Sequence, residues 1–273
     1  MTTEKRTVLP GDVLDSSRMP GHWLLARLGK RVLRPGGVEL TRRLLASVAV
    51  RPADDVVEVA PGLGATTRLL LSAGPASYTG VDRDEAAAGL VASMLDGPNR
   101  RVIQASAADT GLPEASADVV FGEAYLTMQP DRQKQQIVTE LARLLRPGGR
   151  LALHEVAFAP DDISEPDRKQ VAAALTGSIK VNVSPMTVYA WKELLTEQGF
   201  RVVYETSAPL HLLEPRRLVA DEGVAGAARF VINVARDGEA RSRVLAMRRA
   251  MRSNAAHLQA FGLVAVRDEP AES

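Results

Sequence analysis

The chain has 273 residues, of which 45% are hydrophobic and 25% charged, and a formal net charge of +1. That length buries one good core, or one core with a small cap, and the near-neutral balance gives no overall pull toward nucleic acid or an anionic membrane. Cysteine is absent, which excludes disulfides, thiolate metal sites and a cysteine nucleophile; no apolar run approaches the ~18 residues of a membrane span and Met1 to Pro20 lacks the apolar centre of a signal peptide, so a cytoplasmic protein with no membrane partner is expected.

Residues 1–18 are polar and turn-rich and are expected to be mobile or to form a loose lid. His22 to Leu28 then has the pattern of a short amphipathic helix, Lys30 to Gly37 that of a loop, and Val38 to Val48 that of a second helix with Leu40, Leu44 and Leu45 on one face. Arg27, Lys30, Arg31, Arg34, Arg42 and Arg43 make this segment basic. Both a solvated face and a carboxylate-binding role, centred on Arg34, are open.

Val56 to Val59 is a short apolar run of the kind a strand buried on both faces shows. The run breaks at Pro61-Gly62-Leu63-Gly64 and resumes as a helix-favouring stretch, Ala65 to Leu71. Strand, glycine turn and helix form the first unit of a nucleotide-binding α/β fold, because glycine permits the tight turn and the close approach of a ligand. A second strand, Tyr78 to Val81, ends in Asp82, an acid placed to accept hydrogen bonds from ribose hydroxyls.

A helix over Asp84–Leu95 and strands over Arg101–Ala105 and Val119–Phe121 follow, then a helix over Gln133–Leu145, where Ile137, Val138, Leu141 and Leu144 keep helical spacing. Arg146-Pro-Gly-Gly149 stops that helix before a fifth strand, Arg150–His154. The alternation predicts a doubly wound, mostly parallel sheet covered on both faces. Beyond Val156 the spacing predicts a helix and loop within Asp161–Val183, a helix over Thr187–Gln198 with Trp191 inward, and a strand over Arg201–Tyr204. A long helical region with a turn at Asp237-Gly238 leads to a final strand, Phe261–Val266.

Glu58-Val-Ala-Pro-Gly-Leu-Gly64 followed by Val81-Asp82 resembles the cofactor site of the class I S-adenosylmethionine-dependent methyltransferases, whose first motif reads acid-x-Gly-x-Gly-x-Gly. Glu58, Gly62 and Gly64 match, and Ala60 replaces the first glycine. The similarity runs from about Val50 to Val156. It implies a Rossmann-like α/β fold whose last strand inserts antiparallel, and it makes the connection before that strand unusually long. The division read from it is an N-terminal helical lid segment (1–49), a methyltransferase core (50–206 and 260–273) with an insertion at about 158–185, and a two-helix cap (207–259).

The resemblance also implies the cofactor, S-adenosyl-L-methionine, with S-adenosyl-L-homocysteine as product. Its contacts would be Glu58, Ala60, Pro61, Gly62 and Gly64 in the first motif, and Asp82 with Arg83 for the ribose. Ser106 and Ala107 stand where the family has an acid for adenine, a departure that leaves Ser106's role open. Gly122 and Glu123 at the tip of the fourth strand complete the set. Tyr125, Met128, Trp23 and Tyr189 are candidates for touching the acceptor, with plain core packing as the alternative for Tyr125 and Met128. His154, closing the fifth strand, is the first candidate for a general base and Glu123 its rival. No metal is expected.

The favoured reading is methyl transfer to a small molecule, with a homodimer left open. A methylase of RNA or protein is the first alternative, but two Trp, four Tyr and five Phe are few for stacking platforms on single strands. A nicotinamide-dependent oxidoreductase of related fold would need a third glycine where Thr67 stands. A phosphate-binding NTPase is excluded, because no Gly-Lys-Ser/Thr follows the loop. A binding module that keeps the donor site without the chemistry is the last alternative.

Overall fold

The computed structural model describes residues 15, 16 and 18–268. Most of the loose segment expected over residues 1–18 therefore lies outside the described residues. The chain first forms α1 (Gly21–Arg27) and α2 (Gly37–Val48), then alternates β1 (Asp55–Val59), α3 (Ala65–Ser72), β2 (Ser77–Asp82), α4 (Glu85–Ala92), β3 (Arg100–Gln104) and β4 (Ala117–Glu123). There follow α5 (Asp131–Leu144), β5 (Leu145–Phe158), α6 (Glu165–Ile179), β6 (Met186–Thr187), α7 (Val188–Glu197) and β7 (Phe200–Pro209). The helices α8 (Pro215–Arg236) and α9 (Gly238–Ser253) precede β8 (Leu258–Arg267).

The eight strands form one sheet in the order β3-β2-β1-β4-β5-β8-β7, with the two-residue β6 beside the end of β5. Neighbours from β3 to β5 are parallel, whereas β8 runs antiparallel to both β5 and β7. The doubly wound, mostly parallel sheet with its antiparallel last strand is the fold expected from the sequence. Successive side chains of a strand point to opposite faces, and the core divides accordingly. Val57, Val120 and Leu151 pack with α5 and α7 on one face, while Val56, Val119 and Phe121 pack with α2, α3 and α4 on the other.

The chain reverses direction across the sheet between β1 and β4, and open α/β sheets bind ligands in the crevice beyond such a point. A third hydrophobic cluster stands over the carboxyl ends of the strands. It joins Leu24 and Leu25 of α1, Leu175 of α6, Phe230 of α8, and Val244 and Met247 of α9. The N-terminal helix and the two later insertions, which the sequence presents as separate additions, thus share one core. Helix α8 is interrupted at Gly223 (φ 71°, ψ 170°). Just before the break, Glu222 accepts hydrogen bonds from the backbone N–H of Arg31 and Val32 and lies 3.4 Å from the buried Lys30 ammonium, which ties the cap to the N-terminal loop. The sheet also extends further than expected: β5 continues past His154 to Phe158, where it gains β6 as a neighbour.

Candidate active site

The loop between β1 and α3 is built from left-handed backbone. Ala60, Gly62 and Gly64 have φ of 53°, 55° and 70°. An alanine in that region costs roughly 1–2 kcal/mol; Ala60 is held there by its N–H, which donates to Val81 O at 2.8 Å, so the turn survives the loss of the family's first glycine. Gly62 has open space where a side chain would project, with Trp23 the nearest side chain at 3.9 Å. A Cβ on Gly64 would instead meet Met94 Sδ at 2.6 Å. Gly62 therefore faces the crevice, while Gly64 is a packing glycine at the start of α3.

Glu58 is 2% exposed, and its Oε2 accepts hydrogen bonds from Thr67 Oγ1 (2.6 Å) and Tyr78 Oη (2.5 Å). Burial pushes its pKa up to about 7 against the pull of those two hydroxyls. Asp82 orients each oxygen with one backbone N–H: Oδ2 accepts from Gly62 (3.2 Å) and Oδ1 from Asp84 (3.0 Å). A carboxylate oxygen takes two such bonds, so each retains an acceptor site. Burial raises the Asp82 pKa more than these N–H groups lower it.

Both acids border a cavity of about 600 Å³ that runs from the tips of β1, β2 and β4 into the cap. Ala60, Pro61, Arg83, Ser106 and Ala107 border it as well. The Ser106 hydroxyl accepts a hydrogen bond from Ala108 N at 3.2 Å, which orients it in its own turn. His22 and Trp23 of α1 close over the same end, their rings 4.5 Å apart. Burial, with the Arg83 charge nearby, lowers the His22 pKa to about 4. The resulting neutral ring carries an Nδ1 with no partner among the described residues.

Glu123 is the hub of a buried polar network. Its Oε1 is reached by Thr41 Oγ1 and by His154 Nδ1 (2.5 Å), and its Oε2 by Thr66 Oγ1 and the Arg34 guanidinium. Burial alone would raise its pKa, but the charge of Arg34 and the interactions with His154 and Thr41 hold it well below the usual carboxylate range. A carboxylate held ionised with four donors on two oxygens has no capacity to take a proton from an acceptor, so the expectation of Glu123 as a base is corrected.

His154 is corrected too. It is fully buried and does not border the cavity. Its Nδ1 faces Glu123, and its Nε2 lies 2.5 Å from the Pro35 carbonyl. Both nitrogens are engaged inside the protein, so the ring fastens β5 to the N-terminal loop and cannot reach a substrate.

Tyr125 and Met128 border the cavity, as does Trp23. Tyr189 does not: it is 60% exposed on the outside of α7, which corrects its expected place at the acceptor. Gly122 is also absent from the wall, because it makes room for Tyr125, whose Cε1 would sit 2.5 Å from an added Cβ. Two further residues shape the site. Arg34 borders the cavity with a buried Nε that has no partner among the described residues; the basic run around it was its only trace in the sequence. Glu155, fully buried, accepts from the backbone N–H of Tyr125, Leu126 and Thr127 at 2.7–3.0 Å, and no motif marks it.

A Rossmann-like sheet with an acid at the tip of β1, a left-handed glycine loop and an acid at the tip of β2 is the architecture of the methyltransferase class. The methyltransferase-domain family matches residues 56–149. An uncharacterised protein of Haemophilus influenzae is 33% identical over 217 residues, 78% of this chain and 84% of that protein. The trans-aconitate 2-methyltransferase of an Enterobacter species is 28% identical over 192 residues, 68% of this chain and 73% of that enzyme. Phosphoethanolamine N-methyltransferase 2 of Haemonchus contortus, solved with S-adenosyl-L-methionine, superposes with a TM-score of 0.70 at 13% identity, over 95% of this chain and 59% of that one. The chain belongs to the class I S-adenosylmethionine-dependent methyltransferases.

Proposed function

We propose that the protein transfers a methyl group from S-adenosyl-L-methionine to a small-molecule acceptor held under the cap. The observation that carries this reading is Asp82, whose two oxygens are aimed by Gly62 N and Asp84 N and each keep an acceptor site for one hydroxyl of a ribose diol. The donor would supply a methyl on a sulfonium; in transfer a new bond would form between that carbon and the acceptor's nucleophilic atom, the carbon–sulfur pair would stay on sulfur, and the nucleophile's proton would pass to solvent water.

The chain's contribution is orientation and the exclusion of water. Gly62 brings bare backbone against the donor, and the open face of Ser106 and Ala107 receives the base. Arg34, beside the first turn of α3 and with an Nε that has no partner among the described residues, meets the donor's carboxylate. Trp23 and His22 cover the nucleoside. Neither His154 nor Glu123 handles the acceptor's proton. Residues 1–49 and the insertions act as one cover over the 50–206 and 260–273 core.

Calorimetry with S-adenosylhomocysteine and with NADH tests the reading. Binding of the former alone is expected, and Asp82→Ala should weaken it by about tenfold or more, since hydrogen bonds to a charged group contribute ~1.5–3 kcal/mol. Tight NADH binding, or an Asp82→Ala variant with unchanged affinity, would overturn it.

A further inference from the structure

The cavity changes character along its length. At the strand tips it is bordered by Glu58, Asp82, Asp84 and Glu123. Toward the cap it is walled by Leu25 of α1, Leu175 and Ile179 of α6, Leu212 beyond β7, and Met247 and Met251 of α9. Two methionines in such a wall adapt to irregular apolar shapes. Among the described residues its cationic side chains are Arg31, Arg34 and Arg83. Arg31 is exposed on the N-terminal loop, Arg34 is engaged by Glu123 and Thr66, and Arg83 follows Asp82 at the donor end. The arginines of α9 do not border the cavity; Arg248, for example, pairs outside with Glu214 at 3.0 Å.

An acceptor with several carboxylates would thus place most of its charges against hydrocarbon, because Arg34, the one buried cation on the wall among the described residues, is already paired with Glu123; that is costly. A single polar group, however, has a place. Tyr125 borders the cavity, its buried hydroxyl has no hydrogen-bond partner among the described residues, and its backbone is fixed by Glu155. Buried hydroxyls are rarely left unpaired. An orphaned one at the junction between the donor and cap ends marks where a ligand supplies the missing bond.

Resting on the methyl-donor reading above, we infer that the acceptor is an amphiphile, with a hydrocarbon body in the cap and one hydroxyl or carboxyl group against the Tyr125 hydroxyl. Burial and the neighbouring Glu155 raise the Tyr125 pKa well above its ordinary value, so the phenol keeps its proton and can donate.

The test is calorimetry on the full chain saturated with S-adenosylhomocysteine, using decanoate, geraniol and trans-aconitate as probes. Decanoate distinguishes a carboxyl group and geraniol a hydroxyl. At least one of these two should bind about tenfold or more tightly than trans-aconitate. Met251→Glu, which sets a carboxylate in the apolar wall, should weaken that probe by at least about tenfold with S-adenosylhomocysteine affinity unchanged. Met251→Leu should keep it, and Tyr125→Phe should weaken it by roughly two- to tenfold, the range of one hydrogen bond. Tighter binding of trans-aconitate, failure of both apolar probes, or an unaffected Met251→Glu variant overturns the inference while the donor reading stands. Failure of S-adenosylhomocysteine itself to bind overturns both.

Discussion

Glu123→Gln isolates the network that joins the donor site to the N-terminal loop. In the wild-type chain two oxygens serve four donors, from Arg34, Thr66, Thr41 and His154. Glutamine keeps the shape but offers one acceptor oxygen, and its NH2 must then face either Arg34 and Thr66 or Thr41 and His154. The substitution also strips the counter-charge from a guanidinium whose side chain is 5% exposed. Removing one partner of a buried pair costs ~3–5 kcal/mol. For a chain of this size that lowers the melting temperature by about 5–9 °C. Thermal melts followed by circular dichroism measure it, alongside a cycle with Arg34→Met. The two single losses should exceed the double by more than about 0.5 kcal/mol, because the residues are in contact. A Glu123→Gln melt within about 2 °C of wild type, or strict additivity in the cycle, would refute the hub.

Three further variants probe the acid at the tip of β1 and the glycine loop. Gly64→Ala should cost stability, on the order of 1–3 kcal/mol from the left-handed backbone and more from the clash with Met94. Gly62→Ala carries a similar backbone penalty without that clash, so its distinguishing effect in calorimetry should be weaker S-adenosylhomocysteine binding. Glu58 keeps its proton in the folded chain up to about pH 7, against 4.5 when unfolded. Between those values the native state binds more protons, so this group's contribution to stability falls as pH rises and levels off above pH 7. Glu58→Gln, whose oxygen can still accept from Thr67 and Tyr78, should therefore melt higher than wild type at pH 8 by an amount on the order of 3 kcal/mol, and the advantage should shrink toward pH 5. A pH-independent difference in paired melts would contradict this origin.

What was legible in the sequence is what local chemistry dictates. The valine run of β1, the glycine turn and the acid closing β2 announce themselves because strand burial, left-handed backbone and the proposed ribose partner each demand particular residue types at short range. Tyr189 could have been placed correctly: Val188, Trp191 and Leu195 already take the inner face of α7, and the helical period turns Tyr189 outward. His154 could not, because Pro35 is 119 residues away in sequence and the contact that occupies the ring exists only after the N-terminal loop folds back. The shared core of α1, α6, α8 and α9 is hidden for the same reason. Each helix shows an apolar stripe, but nothing local says that the stripes meet. Arg34 and Glu155 act through partners distant in the chain, so neither forms a motif.

The most direct measurement is a crystal structure of the chain with S-adenosylhomocysteine. The account predicts the ribose hydroxyls on the two Asp82 oxygens, the amino-acid end against Gly62 and Arg34, and the sulfur turned toward Tyr125 and the cap. A crevice left empty at saturating ligand, or a nucleoside bound away from Asp82, would contradict it.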